Sequence, residues 1–80
     1  MVIMTSPASR LDRITVDPAM VHGKPAIRGM RISVQHVLEI LASGMTFEEV
    51  LADYPYLERE DLLAALEYGA ATSGGQYVLP

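Results

Sequence analysis

Eighty residues without an internal repeat make room for one domain, and a domain that small buries only about 60% of the surface its unfolded chain exposes. Half of the residues are hydrophobic and the mean hydropathy is +0.22. That is more apolar material than a lone small domain hides, so a partner is expected, a second copy of the chain being the simplest. The chain has no cysteine, which excludes a disulfide framework and a thiolate metal site. Met1-Val2-Ile3-Met4 lacks a basic residue and is shorter than a signal-peptide core, and no run approaches the roughly 18 apolar residues of a membrane span. A soluble cytoplasmic protein with no membrane partner is the expectation.

The net charge of −4 conceals a split. Residues 1–32 carry five Lys or Arg against two Asp, a net +3, whereas residues 33–80 carry one Arg against eight Asp or Glu, a net −7. The chain is an electrical dipole along its sequence.

Residues 1–12 read as a flexible tail. Ile14-Thr15-Val16 is a β-branched triplet stopped by Asp17-Pro18, as in a short strand entering a turn. The Gly and Pro of Val21-His22-Gly23-Lys24-Pro25 argue against a helix. A second extended stretch runs through Ala26-Ile27-Arg28 and Arg31-Ile32-Ser33, interrupted at Gly29, where a bulge or a residue of positive φ fits. Residues 13–33 are therefore expected to form a basic hairpin or pair of short strands.

At Ser33 the apolar period changes from two to 3.6. Val34, Val37, Leu38 and Leu41 share one helical face, with Ser33 as cap and Gly44 as terminator. Thr46 and Glu49 have the spacing of a capping box, followed by Phe47, Val50, Leu51 and Tyr54 on one face. Pro55 stops this second helix. A third is predicted from about Glu58 to Ala71, presenting Leu62, Leu63, Leu66 and Ala70 to the core, with Glu60 and Asp61 matched to the dipole of its first turn. The fold predicted is mainly α: a three-helix, homeodomain-like helix-turn-helix bundle over residues 34–71, preceded by short strands and followed by a tail at 72–80.

Converging catalytic groups are scarce, so no catalytic residue, cofactor or small-molecule substrate is expected. Asp17, His22 and His36 are the only set resembling a metal or acid–base constellation, and no pair at i, i+4 supports it. Gly23-Lys24 lacks the rest of a phosphate loop. Two surfaces remain. Arg10, Arg13, Lys24, Arg28, Arg31 and Arg59 are candidates for nucleic-acid contact, Arg28 and Arg31 in the manner of a β-ribbon or arm. Glu48, Glu49, Asp53, Glu60, Asp61 and Glu67 are candidates for a basic partner. Pairing of Arg28 and Arg31 with the acidic helices, within one chain or across a dimer, stands equally open.

The strings Ile14-Thr15-Val16-Asp17-Pro18, Gly23-Lys24-Pro25-Ala26-Ile27-Arg28-Gly29-Met30-Arg31-Ile32 and Gly44-Met45-Thr46-Phe47-Glu48-Glu49-Val50-Leu51-Ala52-Asp53-Tyr54-Pro55 resemble the prokaryotic "domain of unknown function 433" family, also described as VapB-type antitoxins. The resemblance spans about residues 13–71, with Gly23, Pro25 and Gly29 as its turn residues. It implies a small dimeric helix-turn-helix protein that neutralises a PIN-like ribonuclease toxin and represses its own operon through operator DNA. Met30 stands where the family usually has threonine, and Glu58 where threonine or serine usually caps the third helix. The third helix, Arg59-Glu60-Asp61-Leu62-Leu63-Ala64-Ala65-Leu66-Glu67, is acidic, whereas DNA affinity rests on Lys and Arg neutralising phosphates. DNA contact is therefore expected from the basic segment Arg10–Arg31, doubled by dimerisation, and toxin contact from the acidic helices. The alternative is a protein-interaction module that never touches DNA.

Overall fold

The computed structural model describes residues 9–73. A short antiparallel pair, β1 (Ile14–Thr15) and β2 (Ala26–Ile27), sets Ile14 against Ile27 and Thr15 against Ala26. Three helices follow: α1 (Val34–Ala42), α2 (Phe47–Asp53) and α3 (Arg59–Ser73). The mainly helical bundle with a leading hairpin is as expected, though the strands are shorter, because the β-branched run stops pairing at Thr15 and Val16 is 63% exposed.

The chain turns back sharply after β2. Met30 N–H donates to Ile27 C=O at 2.8 Å, and Ile27 N–H donates to Ile32 C=O at 3.1 Å. Both central residues of this turn, Arg28 (φ 47°) and Gly29 (φ 72°), are left-handed. Gly29 adopts that geometry without steric cost, as the glycine signal led one to expect. An arginine does not, so something outside the turn must hold Arg28 there. The residues after the turn add only a bridge from Ser33 to Ala26.

The helix signals translate directly. Ser33 Oγ accepts from His36 N–H at 3.0 Å, capping α1. In the capping box of α2, Thr46 Oγ1 accepts from Glu49 N–H at 3.1 Å and Thr46 N–H donates to Glu49 Oε1 at 2.8 Å. Val34, Val37 and Val50 point into the core, where Ile27, Ile32, Leu57, Leu62 and Ala65 meet them. The hairpin thus supplies the lid of the same core that the helices enclose. At Gly69 the helices α1 and α3 come close, since an added Cβ would stand 3.3 Å from Leu38.

One expectation for α3 is corrected. Leu62 is buried, but Leu63 is half-buried, Leu66 is 42% exposed and Ala70 is exposed. The buried face instead runs through Asp61, Leu62, Ala64 and Ala65. Small alanines there let the hairpin and α1 approach the helix, and Leu63 and Leu66 are rotated outward. The tails also differ in extent from expectation. Ser9 to Asp12 pack on α3, with a 3-10 turn at Leu11–Arg13, and α3 continues through Ser73. The remaining residues of both expected tails lie outside the described range.

Loss of the cap at α2 tests this local account. Thr46→Ala is expected to lower unfolding free energy by about 1 kcal/mol, read as a shift in urea midpoint at constant slope.

Candidate functional site

The polar centre of the molecule is Asp61, whose side chain is wholly buried. It occupies the third position of α3, where its Oδ2 accepts the N–H of Glu58, the residue before the helix, at 2.8 Å. That is the back-bonding half of a capping box made by Asp rather than Glu. Arg28 approaches as a fork: Nε donates to Oδ1 at 2.9 Å and Nη2 to Oδ2 at 2.8 Å. Arg13 Nη1 donates to Oδ1 at 2.9 Å and also to Glu58 Oε1 at 2.8 Å. Four donors satisfy the buried carboxylate, and a fork of this kind fixes the plane of the guanidinium.

The backbone cooperates. Arg28 N–H donates to Arg13 C=O at 2.7 Å, and Arg28 Nη2 also donates to Tyr56 C=O at 3.0 Å. Asp61 is therefore what holds Arg28 in its left-handed turn position. Burial by itself pushes the Asp61 carboxyl up, but the bonds from Arg28, Glu58 N–H and Arg13 outweigh it, and the carboxyl lies below its usual range. Arg13 is raised by its bonds to Glu58 and then Asp61, and Arg28 is raised by Asp61.

A second set of bonds extends the tie along α3. Arg10 N–H donates to Glu67 Oε1 at 2.9 Å and Ser9 Oγ to Glu67 Oε2 at 2.8 Å, which lowers the Glu67 carboxyl. Arg10 Nε pairs with Glu60. The candidate DNA-contacting residues Arg10, Arg13 and Arg28 and the candidate partner-contacting residues Glu60, Asp61 and Glu67 are thus one another's partners within the chain. Of the two readings open for Arg28, the structure supplies the intramolecular pairing.

The other candidates fall elsewhere. Lys24 Nζ donates to Gln35 Oε1 at 3.2 Å, and the Arg59 guanidinium lies 5.0 Å above the Phe47 ring. Arg31 is exposed and makes no hydrogen bond or ion pair among the described residues. Glu48, Glu49 and Asp53 are exposed on α2, Glu49 engaged in the capping box. Of the residues Asp17, His22 and His36, the last meets Tyr54, its Nε2 standing 3.2 Å from the phenol oxygen, and Asp17 Oδ1 accepts the N–H of Ala19 at 2.9 Å. The turn glycines Gly23 (φ 76°) and Gly29 both carry positive φ.

Two concave surfaces went unread in the sequence. An open apolar groove of about 480 Å³ runs between α1 and α3, floored by Leu38, Tyr68 and Gly69. A pocket of about 360 Å³ is lined by Val21, Arg31, Ile32, Ser33, His36, Tyr54 and Tyr56. The tyrosines carried a signal in the Tyr54-Pro55-Tyr56 loop, but only the fold sets them beside Arg31.

Residues 14–69 match the family described as protein of unknown function (DUF433). The chain is a member of the DUF433 family. A crystal structure of a DUF433 member protein from Anabaena variabilis is similar to it, with 34% sequence identity and a TM-score of 0.69 over 80% of this chain and 62% of that one. The chain thus accounts for less than two thirds of that protein's length. Comparison with curated proteins returns no significant match. The DUF433 match begins at β1 and ends at Gly69, so it contains Asp61, Arg28 and Glu58, while Arg13 and Arg10 precede it. Among the described residues no helix is long and apolar enough to cross a membrane.

Removing the carboxylate charge tests the buried cluster. Asp61→Asn leaves two guanidinium groups facing a neutral amide and is expected to cost about 3–5 kcal/mol, a large share of a small domain's stability. Asp61 and Glu67 both have folded-state carboxyls below their unfolded values. Their stabilising contribution is complete above the ordinary carboxylate range and is lost as pH falls through the lowered values. The resistance of the native protein to urea should fall on acidification, and the Asp61→Asn variant should show a shallower pH dependence; equal slopes would contradict the assignment.

Proposed function

We propose that this DUF433 protein is a non-catalytic, antitoxin-type binding protein that acts as a cytoplasmic homodimer and whose principal partner is a protein, a PIN-like ribonuclease. One observation carries the reading: Arg10, Arg13 and Arg28 are spent on α3, so apart from Lys24, Arg31 and Arg59 the surface left for a macromolecule is acidic and apolar. Helix-turn-helix proteins read DNA with the first turn of the recognition helix. In α3 that turn carries Glu60 and the buried Asp61, and the N-terminal segment is bonded across it. A nuclease with a basic RNA-binding cleft suits Glu48, Glu49 and Asp53 on α2 by charge, and the α1–α3 groove offers apolar area. Leu66 on the outer face of α3 is a natural contact for a second copy.

A second reading, repression through operator DNA, draws on Arg31 and Lys24. Arg31 favours it, as an arginine near the hairpin turn with no hydrogen-bond or ion-pair partner among the described residues.

Both readings meet in one experiment. The tagged chain, purified from its host, should bring down one small PIN-like nuclease, and the purified chain should suppress that nuclease's RNA cleavage. Suppression should fall in the doubly substituted Glu48→Lys, Asp53→Lys protein, whose substitutions are on exposed positions. Undiminished cleavage with the chain in excess would overturn the neutralising role. Salt-sensitive retention of promoter DNA, weakened by Arg31→Glu, would select the second reading.

A further inference from the structure

We propose that the pocket at Arg31 binds a single nucleotide unit, its phosphate on the Arg31 guanidinium and its base against Tyr56. The inference goes beyond the nuclease-neutralising reading and stands whether or not that reading holds.

The first ground is the contrast among arginines. Arg10, Arg13 and Arg28 are each paired to carboxylates, and Arg59 lies on Phe47. Arg31 alone has no internal partner among the described residues, although the molecule carries an excess of acid. It lines a pocket in which the described residues place no Asp or Glu. An unpaired guanidinium beside a pocket that the described residues line without a carboxylate is a receptor for an anion, and its planar fork fits phosphate oxygens in pairs.

The second ground is aromatic. His36, Tyr54 and Tyr56 stand in a herringbone: His36 and Tyr54 have centroids 6.0 Å apart at 76°, Tyr54 and Tyr56 6.1 Å apart at 89°. Tyr56 remains 53% exposed, so a planar group can stack on it. The hydroxyl of Tyr54 and the ring nitrogen of His36 add polar groups at the same wall. Phosphate on an arginine and a ring on a tyrosine are the two halves of nucleotide recognition in single strands. The volume of about 360 Å³ lies in the small-ligand range of about 300–1,000 Å³.

The third ground is the backbone at Val21, which lines the pocket. Val21 (φ 44°) and His22 (φ 56°) are consecutive left-handed residues that are not glycine. For β-branched Val21 this backbone is a strained one. The strain is held by Gly23 N–H to Met20 C=O at 2.9 Å and Lys24 N–H to Val21 C=O at 3.0 Å. Strain retained at the rim of a cavity belongs to sites where the wall must keep its shape.

The nucleotide unit can come from a free nucleotide or from a single strand, and the probes separate them. Adenosine 5′-monophosphate, adenosine and an eight-residue oligoadenylate are titrated into the intact chain while backbone amide resonances are followed by NMR. The monophosphate is expected to move the amides of residues 31–36 and of Tyr54 and Tyr56. Adenosine, lacking the phosphate, should bind about tenfold more weakly or worse, and Arg31→Gln should weaken the monophosphate by about the same factor. Tyr56→Leu should weaken it about fivefold, whereas Arg59→Gln should leave it unchanged. Both substituted pocket residues are exposed, so the native amide pattern elsewhere reports that the fold is kept. Tighter binding of the oligoadenylate than of the monophosphate, through the same amides, assigns the site to single strands; equal binding assigns it to free nucleotide. Amides at 31–36 that fail to move with either phosphate-bearing probe, or an Arg31→Gln protein that binds as the native one does, would overturn the proposal.

Discussion

A carboxylate with no solvent contact must be matched donor for donor or it will not stay charged, and Asp61 is matched by two guanidinium groups and a backbone N–H. Desolvation works against the ion, and the bonds reverse the balance only because they are all made at once. The rest of the architecture follows from meeting that condition. Arg28 reaches Asp61 from a turn position that no arginine would choose unaided. Arg13 must lie beside it, which sets the antiparallel pairing of Ile14 with Ile27. The start of α3 is fixed by the same oxygen that accepts from Glu58. Hairpin and bundle, separate by sequence, are one folding unit because of this cluster.

The charge split along the chain acquires a physical meaning from it. A basic first third and an acidic remainder look like two surfaces for two partners, but at the start of α3 they face each other inside one molecule. Three of the six basic side chains, Arg10, Arg13 and Arg28, are paired there. What is left for outside partners is a weaker and more local pattern: carboxylates on α2, an apolar groove between α1 and α3, and Arg31 at its own pocket. Glu58 fits the same logic. Where a hydroxyl residue would cap α3 by accepting the N–H of Asp61, that N–H goes to Glu58 C=O at 2.9 Å, and the Glu58 carboxylate turns to Arg13.

Much of the fold was legible because helix signals are local. Ser33, Thr46, Glu49 and Pro55 each act within a few residues of their own position, and each does in the structure what its chemistry dictates. The face of α3 was misread for the opposite reason. An Asp in the first turn of a helix ordinarily faces water and matches the dipole, and leucines ordinarily outrank alanines for burial. Both preferences yield to a long-range contact, the pairing of Asp61 with arginines 33 and 48 residues earlier in the chain. The trace it leaves in the sequence is faint: an acid three residues after Glu58, and an arginine directly before the turn glycine Gly29. The pocket at Arg31 was illegible for a similar reason, because Val21, Arg31, His36 and Tyr56 are spread over 36 positions and meet only in three dimensions.

The most direct test of this account is a titration of the Asp61 side-chain carboxyl by ¹³C NMR in the folded protein. With the cluster as described, the resonance should stay that of a carboxylate through the ordinary range for aspartate and move only at lower pH, as the fold itself begins to fail. A midpoint at or above the ordinary range, with the protein still folded, would mean that desolvation outweighs the arginines, and that Asp61 does not hold the hairpin to the bundle.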